Sequence, residues 1–388
     1  MNILFLMGIY PSFGGVEKVS TVLSNEFVRR GHTVSIVSFE QPYPELAVKE
    51  LEENIELYKL DFPVYKKSNL ERLRGIILKK DIDVLINQWA VPFYVARLCR
   101  KAIRGTNAKL ITVHHNIPNT NARIKDIEIA LSQKKDVAIL NQLKLFIVRT
   151  ISRLSLRAVY SMSDRYIVLS DSFKDIAAKF IFRKKLTNIQ ALPNPITIST
   201  DHNSEGMKKS DEIIYVGRLE YNQKRCFRIL DIWKQLQHEY QDWKLIIVGD
   251  GPDRADMEKR IIDLGLERVK ITGFTNPEIY YKSARILILV SEYEGMPLVL
   301  AESMSFGVIP VVLDTFPSTH DLIPNNNVGV LIKPPYKAEL FKSEMTKLMS
   351  DRARLDLMSK YAIKYSEKYS LSNIVENWEK MFDELVID

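Results

Sequence analysis

The chain has 388 residues, of which 46% are hydrophobic and 27% charged, so it is neither disordered nor fibrous and has room for two or three domains. Its two cysteines, Cys99 and Cys226, exclude a disulfide scaffold and a four-cysteine zinc site. The formal charge of +7 is uneven: residues 1–200 carry 30 basic and 18 acidic side chains against 25 and 30 in residues 201–388, so an anionic partner is expected on the first half.

Asn2–Met7 is an apolar run without the basic flank of a signal peptide and reads as a buried strand. It ends in the loop Gly8–Glu17 (GIYPSFGGVE). There Gly14 and Gly15 would let the backbone approach a ligand at a helix N-terminus, although a simple turn accounts for them too. The loop is neither a Walker A motif nor a complete dinucleotide fingerprint. A helix follows with Val19, Val22, Leu23 and Phe27 on one face, stopped by Gly31. Further strands fit Thr33–Phe39, Val84–Asn87, Lys109–Val113 and Tyr166–Leu169. Strands alternating with helices predict parallel sheets covered on both faces.

The segment 112–118 (TVHHNIP) ends one of these strands and places His114 and His115 beside Asn116. A zinc site is not expected, because no third ligand stands at metal spacing. Residues 143–160 read as a long helix with two stripes. Arg149, Arg153 and Arg157 form a basic one, and Phe146, Ile147, Ile151 and Leu154 an apolar one. The plain expectation packs the apolar stripe on the sheet with a solvated arginine face; the functional one is an anionic membrane surface. No apolar run approaches the roughly 18 residues of a spanning helix.

Pro193-Asn194-Pro195-Ile196 and the polar stretch Ser199–Ser210 mark a linker. The second half then repeats the rhythm. Strands are expected at Ile213–Val216, Lys244–Val248, Val269–Thr272, Arg285–Val290 and Val308–Leu313. Helices are expected at Phe227–Tyr240, Arg254–Leu264, Pro277–Ala284 and Leu298–Phe306.

Three loops of this half carry chemistry. In 291–303 (SEYEGMPLVLAES), Glu294 would sit at a strand's C-terminal edge, where open α/β sheets bind ligands. Pro297 suits the first helical turn, which presents free amides to a phosphate. Glu302 lies one turn further on. Carboxylates accept hydrogen bonds from paired hydroxyls, so the two glutamates suit a sugar or ribose. In 216–225 (VGRLEYNQKR), Arg218 and Lys224 offer a fork-shaped donor and a point cation suited to a diphosphate. The third loop, 247–252 (IVGDGP), is half of a dinucleotide fingerprint, and a plain turn explains it equally well.

With GGVE, TVHHN, PNPI, VGRL with its lysine, VGDGP, ITGF (271–274) and EGMPLVLAE in this order, the chain resembles the retaining, nucleotide-sugar-dependent glycosyltransferases of family 4. The resemblance implies the α/β GT-B fold, two Rossmann-like domains facing each other across a cleft. Residues 1–195 would bind the acceptor, with a C-terminal helix near 372–388 packing back on them. Residues 196–371 would bind the nucleotide-sugar. By the same resemblance Glu294 would contact the donor sugar and Glu302 the ribose. Arg218 and Lys224 would hold the diphosphate with the backbone of Gly295, Met296, Pro297 and Leu298. Gly273 and Phe274 would flank the base, and Gly14 and Gly15 would approach the phosphates. His114 would meet the transferred sugar, with His115 as the competing candidate.

The implied reaction moves a hexose or N-acetylhexosamine, from a UDP-sugar by default, to a saccharide or lipid-linked saccharide acceptor in cell-surface polysaccharide or glycolipid synthesis. No metal and no cofactor are expected, since the nucleotide-sugar is a substrate, and no nucleic-acid partner is expected. The expected place is the cytoplasm, peripheral on the inner face of the cell membrane. The competing readings are a non-hydrolysing sugar-nucleotide epimerase of the same fold and an NAD-dependent oxidoreductase. The latter needs G-x-G-x-x-G after the first strand, which this chain lacks.

Overall fold

The computed structural model describes residues 1–133, 138–199 and 208–387. The chain divides into two compact units, Met1–Pro195 with Leu371–Asp388, and Ile196–Ser370. It therefore crosses between them inside PNPI and again after Ser370.

The first unit holds strands β1 (Asn2–Ile9), β2 (Thr33–Glu40), β3 (Glu56–Lys59), β4 (Val84–Asn87), β5 (Lys109–His114), β6 (Arg165–Val168) and β7 (Ile189–Ala191). They form one sheet in the order β3-β2-β1-β4-β5-β6-β7, with every pair parallel. Leu4, Phe5, Ile36, Leu85, Ile86, Leu110 and Ile111 are fully buried in its centre, because helices on both faces leave a parallel strand no wet side. The strand order reverses between β1 and β4, the place where such sheets open a crevice beyond their C-terminal ends.

The helix Gly15–Arg29 follows β1, and Gly31 at φ +89 closes it, donating its amide to Val28 O at 2.9 Å. A left-handed residue at this position is the ordinary helix stop. The C-terminal helix Leu371–Ile387 packs on it. Phe27 meets Trp378 edge-on and Phe382 at 5.5 Å, and Arg30 pairs with Glu379 at 2.9 Å.

One expectation is reversed in this unit. Within the helix Ala138–Met162, Phe146, Ile147, Ile151 and Leu154 are exposed, while Leu156, Val159 and Tyr160 are the residues that reach the core. The apolar stripe therefore does not pack on the sheet. Arg149 and Arg157 are exposed, as expected of a solvated face, with Arg149 donating to Glu128 at 2.7 Å; Arg153 is half-buried and donates to Phe180 O at 2.8 Å.

The second unit contains β8 (Glu212–Val216), β9 (Lys244–Val248), β10 (Val269–Ile271), β11 (Ile286–Leu289), β12 (Ile309–Leu313) and β13 (Val330–Ile332). Their order is β10-β9-β8-β11-β12-β13, again all parallel. Here the order reverses between β8 and β11. Expected strands and helices lie within a residue or two of the observed ones, except that Phe227–Leu236 ends four residues early. Pro297 is the N-cap of the helix Leu298–Ser305 and not part of its first turn. Of the expected linker Ser199–Ser210, residues 200–207 lie outside the described residues.

Candidate functional site

In the second unit the candidate residues collect at the reversal point. Arg218 and Lys224 lie on the loop after β8, and Glu294 on the loop after β11. The two loops are latched together. Arg225 and Arg228 both donate to Glu292 Oε2, at 3.3 and 3.0 Å, and the Glu292 amide donates to Gln223 O at 2.7 Å.

Glu294 is buried, at 6% exposure. A buried carboxylate needs partners, and it has two: Lys224 Nζ lies 2.6 Å from Oε1, and Gln223 Nε2 donates to Oε2 at 3.3 Å. Lys224, expected on a diphosphate, is paired here with the neighbouring glutamate. Arg218 is exposed, and its side chain has no ion-pair partner among the described residues.

The loop 291–297 is braced from beneath. Ser318 Oγ donates to Gly295 O and Thr315 Oγ1 to Ser291 O, each at 2.6 Å. Gly295, Met296 and Pro297 are consequently buried, and Leu298 opens the following helix. Its first amides have no intrahelical acceptor, which gives the loop a positive edge. Glu302, one turn on, is also buried. Thr197 donates to its Oε1 at 2.6 Å and Tyr281 to its Oε2 at 3.3 Å. Burial raises the Tyr281 phenol well above its ordinary range, so it remains a donor.

The glycines of VGDGP have a structural task. A Cβ on Gly249 would stand 1.9 Å from Gly217 O, and one on Gly251 would stand 2.3 Å from Leu219 O. The loop after β9 is thereby zipped to the loop after β8 through Gly217 N to Val248 O at 3.0 Å and Leu219 N to Asp250 O at 2.9 Å. Of the two readings left open for this motif, turn packing explains its glycines. Gly249 also bridges Gly273, and next to that bridge Phe274 is 70% exposed.

In the first unit, Gly14 is the N-cap of its helix, and the Glu17 carboxylate lies over it, 2.0 Å from where a Cβ would stand. Burial raises the Glu17 pKa. His114 closes β5, buried, with Nδ1 2.5 Å from Tyr166 Oη. His115 Nε2 lies 2.6 Å from Gln88 Oε1. Desolvation lowers the two imidazoles to about 4 and about 3, with the His114 ring adding to the shift at His115. Both are therefore neutral near pH 7, each offering one N–H and one lone pair.

Gln88, Gln223, Ser318 and Thr197 escape a motif search because each acts through a fold contact. Gln88 follows β4 at the reversal point, and its buried Nε2 has no hydrogen-bond partner among the described residues. Such an orphan donor costs stability, which makes it a candidate ligand contact. Among the described residues no group of three or more His, Cys, Asp or Glu could hold a metal ion.

Comparison with known families agrees with this arrangement. The Glycosyltransferase Family 4 model matches residues 13–200 and the model Glycosyl transferases group 1 matches 198–365. The chain belongs to the group 1/family 4 glycosyltransferases. Over 389 residues the glycosyltransferase is 26% identical to the Campylobacter jejuni GalNAc-alpha-(1->4)-GalNAc-alpha-(1->3)-diNAcBac-PP-undecaprenol alpha-1,4-N-acetyl-D-galactosaminyltransferase, covering 99% of each chain. It is 23% identical to the amylovoran biosynthesis glycosyltransferase AmsD of Erwinia amylovora, covering 98% of this chain and 99% of that one. Its fold is GT-B, like that of Anabaena HepE solved with UDP and glucose, at a TM-score of 0.75 and 14% identity over 99% of this chain and 100% of that one. None of these three is named as an epimerase or an oxidoreductase.

Proposed function

We propose that this glycosyltransferase moves a hexose or N-acetylhexosamine from a nucleotide-sugar, with a UDP-sugar as first choice, to a saccharide or lipid-linked saccharide acceptor. Cell-surface polysaccharide or glycolipid synthesis is the setting, on the cytoplasmic face of the membrane. The reaction retains the anomeric configuration and uses no metal or other cofactor. One observation carries the reading: exposed Arg218, Lys224 and buried Glu294 converge at the ends of β8 and β11, beside the amide-bearing start of Leu298–Ser305. A relative named for an undecaprenol-linked saccharide and a fold neighbour solved with UDP and glucose support it.

The chemistry follows from charge. When the bond from the anomeric carbon to the diphosphate oxygen breaks, negative charge gathers on the leaving diphosphate. Exposed Arg218 and the amides that open the helix Leu298–Ser305 receive it. Lys224 gains a second anionic partner there, which loosens its hold on Glu294 and frees a carboxylate oxygen for the sugar hydroxyls. Glu302, oriented by Thr197 and Tyr281, accepts from the ribose hydroxyls, while Gly273 and Phe274 flank the base. The acceptor hydroxyl attacks the oxocarbenium-like carbon from the face the diphosphate leaves, and its proton passes to that diphosphate. In the first unit, His114 is neutral and so contacts a sugar hydroxyl by hydrogen bonding rather than as a cation; Gly14 and Gly15 are assigned to the phosphates.

The test is a panel of UDP- and GDP-sugars incubated with the full chain, scored by nucleoside diphosphate release and by the anomeric signal of the product. The expected result is release from a UDP-sugar with the donor's configuration kept, abolished in Glu294→Gln. An inverted product, or full turnover in that variant, overturns the assignment.

A further inference from the structure

Among its described residues the first unit carries an exposed apolar face. Along the helix Ala138–Met162, Leu140, Leu143, Phe146, Ile147, Ile151 and Leu154 are between 47% and 66% exposed. At 3.6 residues per turn they span an arc of roughly 140°. Lys144 flanks one margin of the arc and Arg149 and Arg153 the other, and the sequence of this helix contains no acidic residue. Large contiguous apolar faces are uncommon on a protein that keeps them in water.

A second segment joins this face. The Arg153 guanidinium donates to Phe180 O and lies over the Phe182 ring, 4.1 Å from its centre. Phe182 is itself 76% exposed and precedes Arg183, Lys184 and Lys185, all exposed. The arginine that the sequence pattern assigned to a solvated stripe is thus the clasp that fixes an aromatic and three cations beside the apolar arc. No described helix is long and apolar enough to cross a membrane.

We propose that this two-part face docks on an anionic lipid bilayer: the arc and Phe182 enter the headgroup–acyl boundary, while Arg183, Lys184 and Lys185 meet the headgroups. Charge decides between occupants. A bilayer supplies apolar depth and negative charge together. A second copy of this chain would bring two sets of the same cations against each other. The proposal deepens the membrane placement given above and rests on the first unit alone, so its failure leaves the transfer reaction untouched.

The test is co-sedimentation of the full chain with vesicles of phosphatidylcholine, with and without phosphatidylglycerol. Binding is expected only to the anionic vesicles and is expected to weaken with salt. Each cation removed should cost about fivefold in partitioning, so replacing Arg183, Lys184 and Lys185 by Ser should lower binding by more than tenfold. Phe146→Ser with Ile151→Ser and Leu154→Ser should do the same. These positions are exposed, so thermal stability and nucleotide-sugar turnover on a water-soluble acceptor should stay at the wild-type level. No binding to anionic vesicles, or unchanged binding in both variants, overturns the proposal. So does a wild-type dimer in light scattering that the apolar variant converts to monomer.

Discussion

Lys224 Nζ lies 2.6 Å from Glu294 Oε1, so the cation expected to hold a diphosphate rests on the carboxylate expected to hold the sugar. Before substrate arrives, each of these groups neutralises the other in a place where the glutamate is almost fully buried. The contact orients Glu294 and stores Lys224 within reach of an anion.

Lys224→Ala should therefore do two things. It leaves Glu294 with Gln223 as its remaining side-chain partner among the described residues, which should lower unfolding stability by about 1–3 kcal/mol. It also removes a cation from the leaving group, which should lower kcat/KM at least about 100-fold, roughly 2.7 kcal/mol of barrier. Urea denaturation and steady-state kinetics on one preparation check both. Turnover at the wild-type level would return Lys224 to a structural role. Arg218→Ala, with no partner to strand, should lose a similar factor in rate with the urea midpoint unchanged.

Gly249 offers a test of the zipped loops. A methyl group there would meet Gly217 O at 1.9 Å, a backbone atom and not the end of a flexible side chain that could yield. Gly249→Ala should cost more than about 3 kcal/mol, read as a large fall in Tm. Gly75 is the control. It lies exposed within the helix Lys67–Lys79 with nothing within 4 Å of its would-be Cβ, so Gly75→Ala should raise stability by about 0.5–1 kcal/mol.

These two glycines also show how far the residues speak for themselves. The buried strands β1, β2, β4, β5, β8, β9, β11 and β12 were legible because a parallel strand covered on both faces must be an apolar run. The strands the sequence did not show are the half-exposed edge strand β3, ELYK, and β7 and β13, which span three residues each. The motifs located Arg218, Lys224, Glu294 and Glu302, since a loop between strand and helix is visible in sequence. They did not reveal that Lys224 pairs with Glu294, or that Gln223, Ser318 and Thr197 hold the loops, because those contacts join residues 23 to 105 positions apart. For the helix Ala138–Met162 the periodicity exposed an apolar face but could not say which way it turns. Only the burial of Leu156, Val159 and Tyr160 decides that.

Ser318 should behave as a positioning residue. Its hydroxyl, fully buried, holds Gly295 O at 2.6 Å, which fixes the peptide leading into Met296 and the free amides beyond. Ser318→Ala leaves that carbonyl without its donor and should cost about 1–3 kcal/mol of stability. KM for the nucleotide-sugar should rise more than kcat falls, because ground-state placement is lost before the charge of the transition state. Ser318→Thr, which keeps the hydroxyl, should recover most of the effect. A kcat loss with KM unchanged would remove Ser318 from donor placement.

The neutral histidines fix the sign of one pH effect. Folding lowers His114 to about 4 and His115 to about 3, from about 6.5 in an unfolded chain. Between those limits the unfolded state takes up protons that the folded state refuses, so stability is complete above pH 6.5 and falls as the pH drops toward 4. The slope is at most about 1.4 kcal/mol per pH unit for each ring. Urea midpoints at pH 7, 6 and 5 should decline in the wild type and decline less steeply in His114→Gln with His115→Gln. Carboxylates contribute to both proteins, so the difference between the two curves isolates the imidazoles. Parallel curves would mean that the rings titrate in the folded state as they do in the unfolded chain. His114 would then be a cation at pH 6, and its contact with a sugar hydroxyl would have to give way to one with a phosphate.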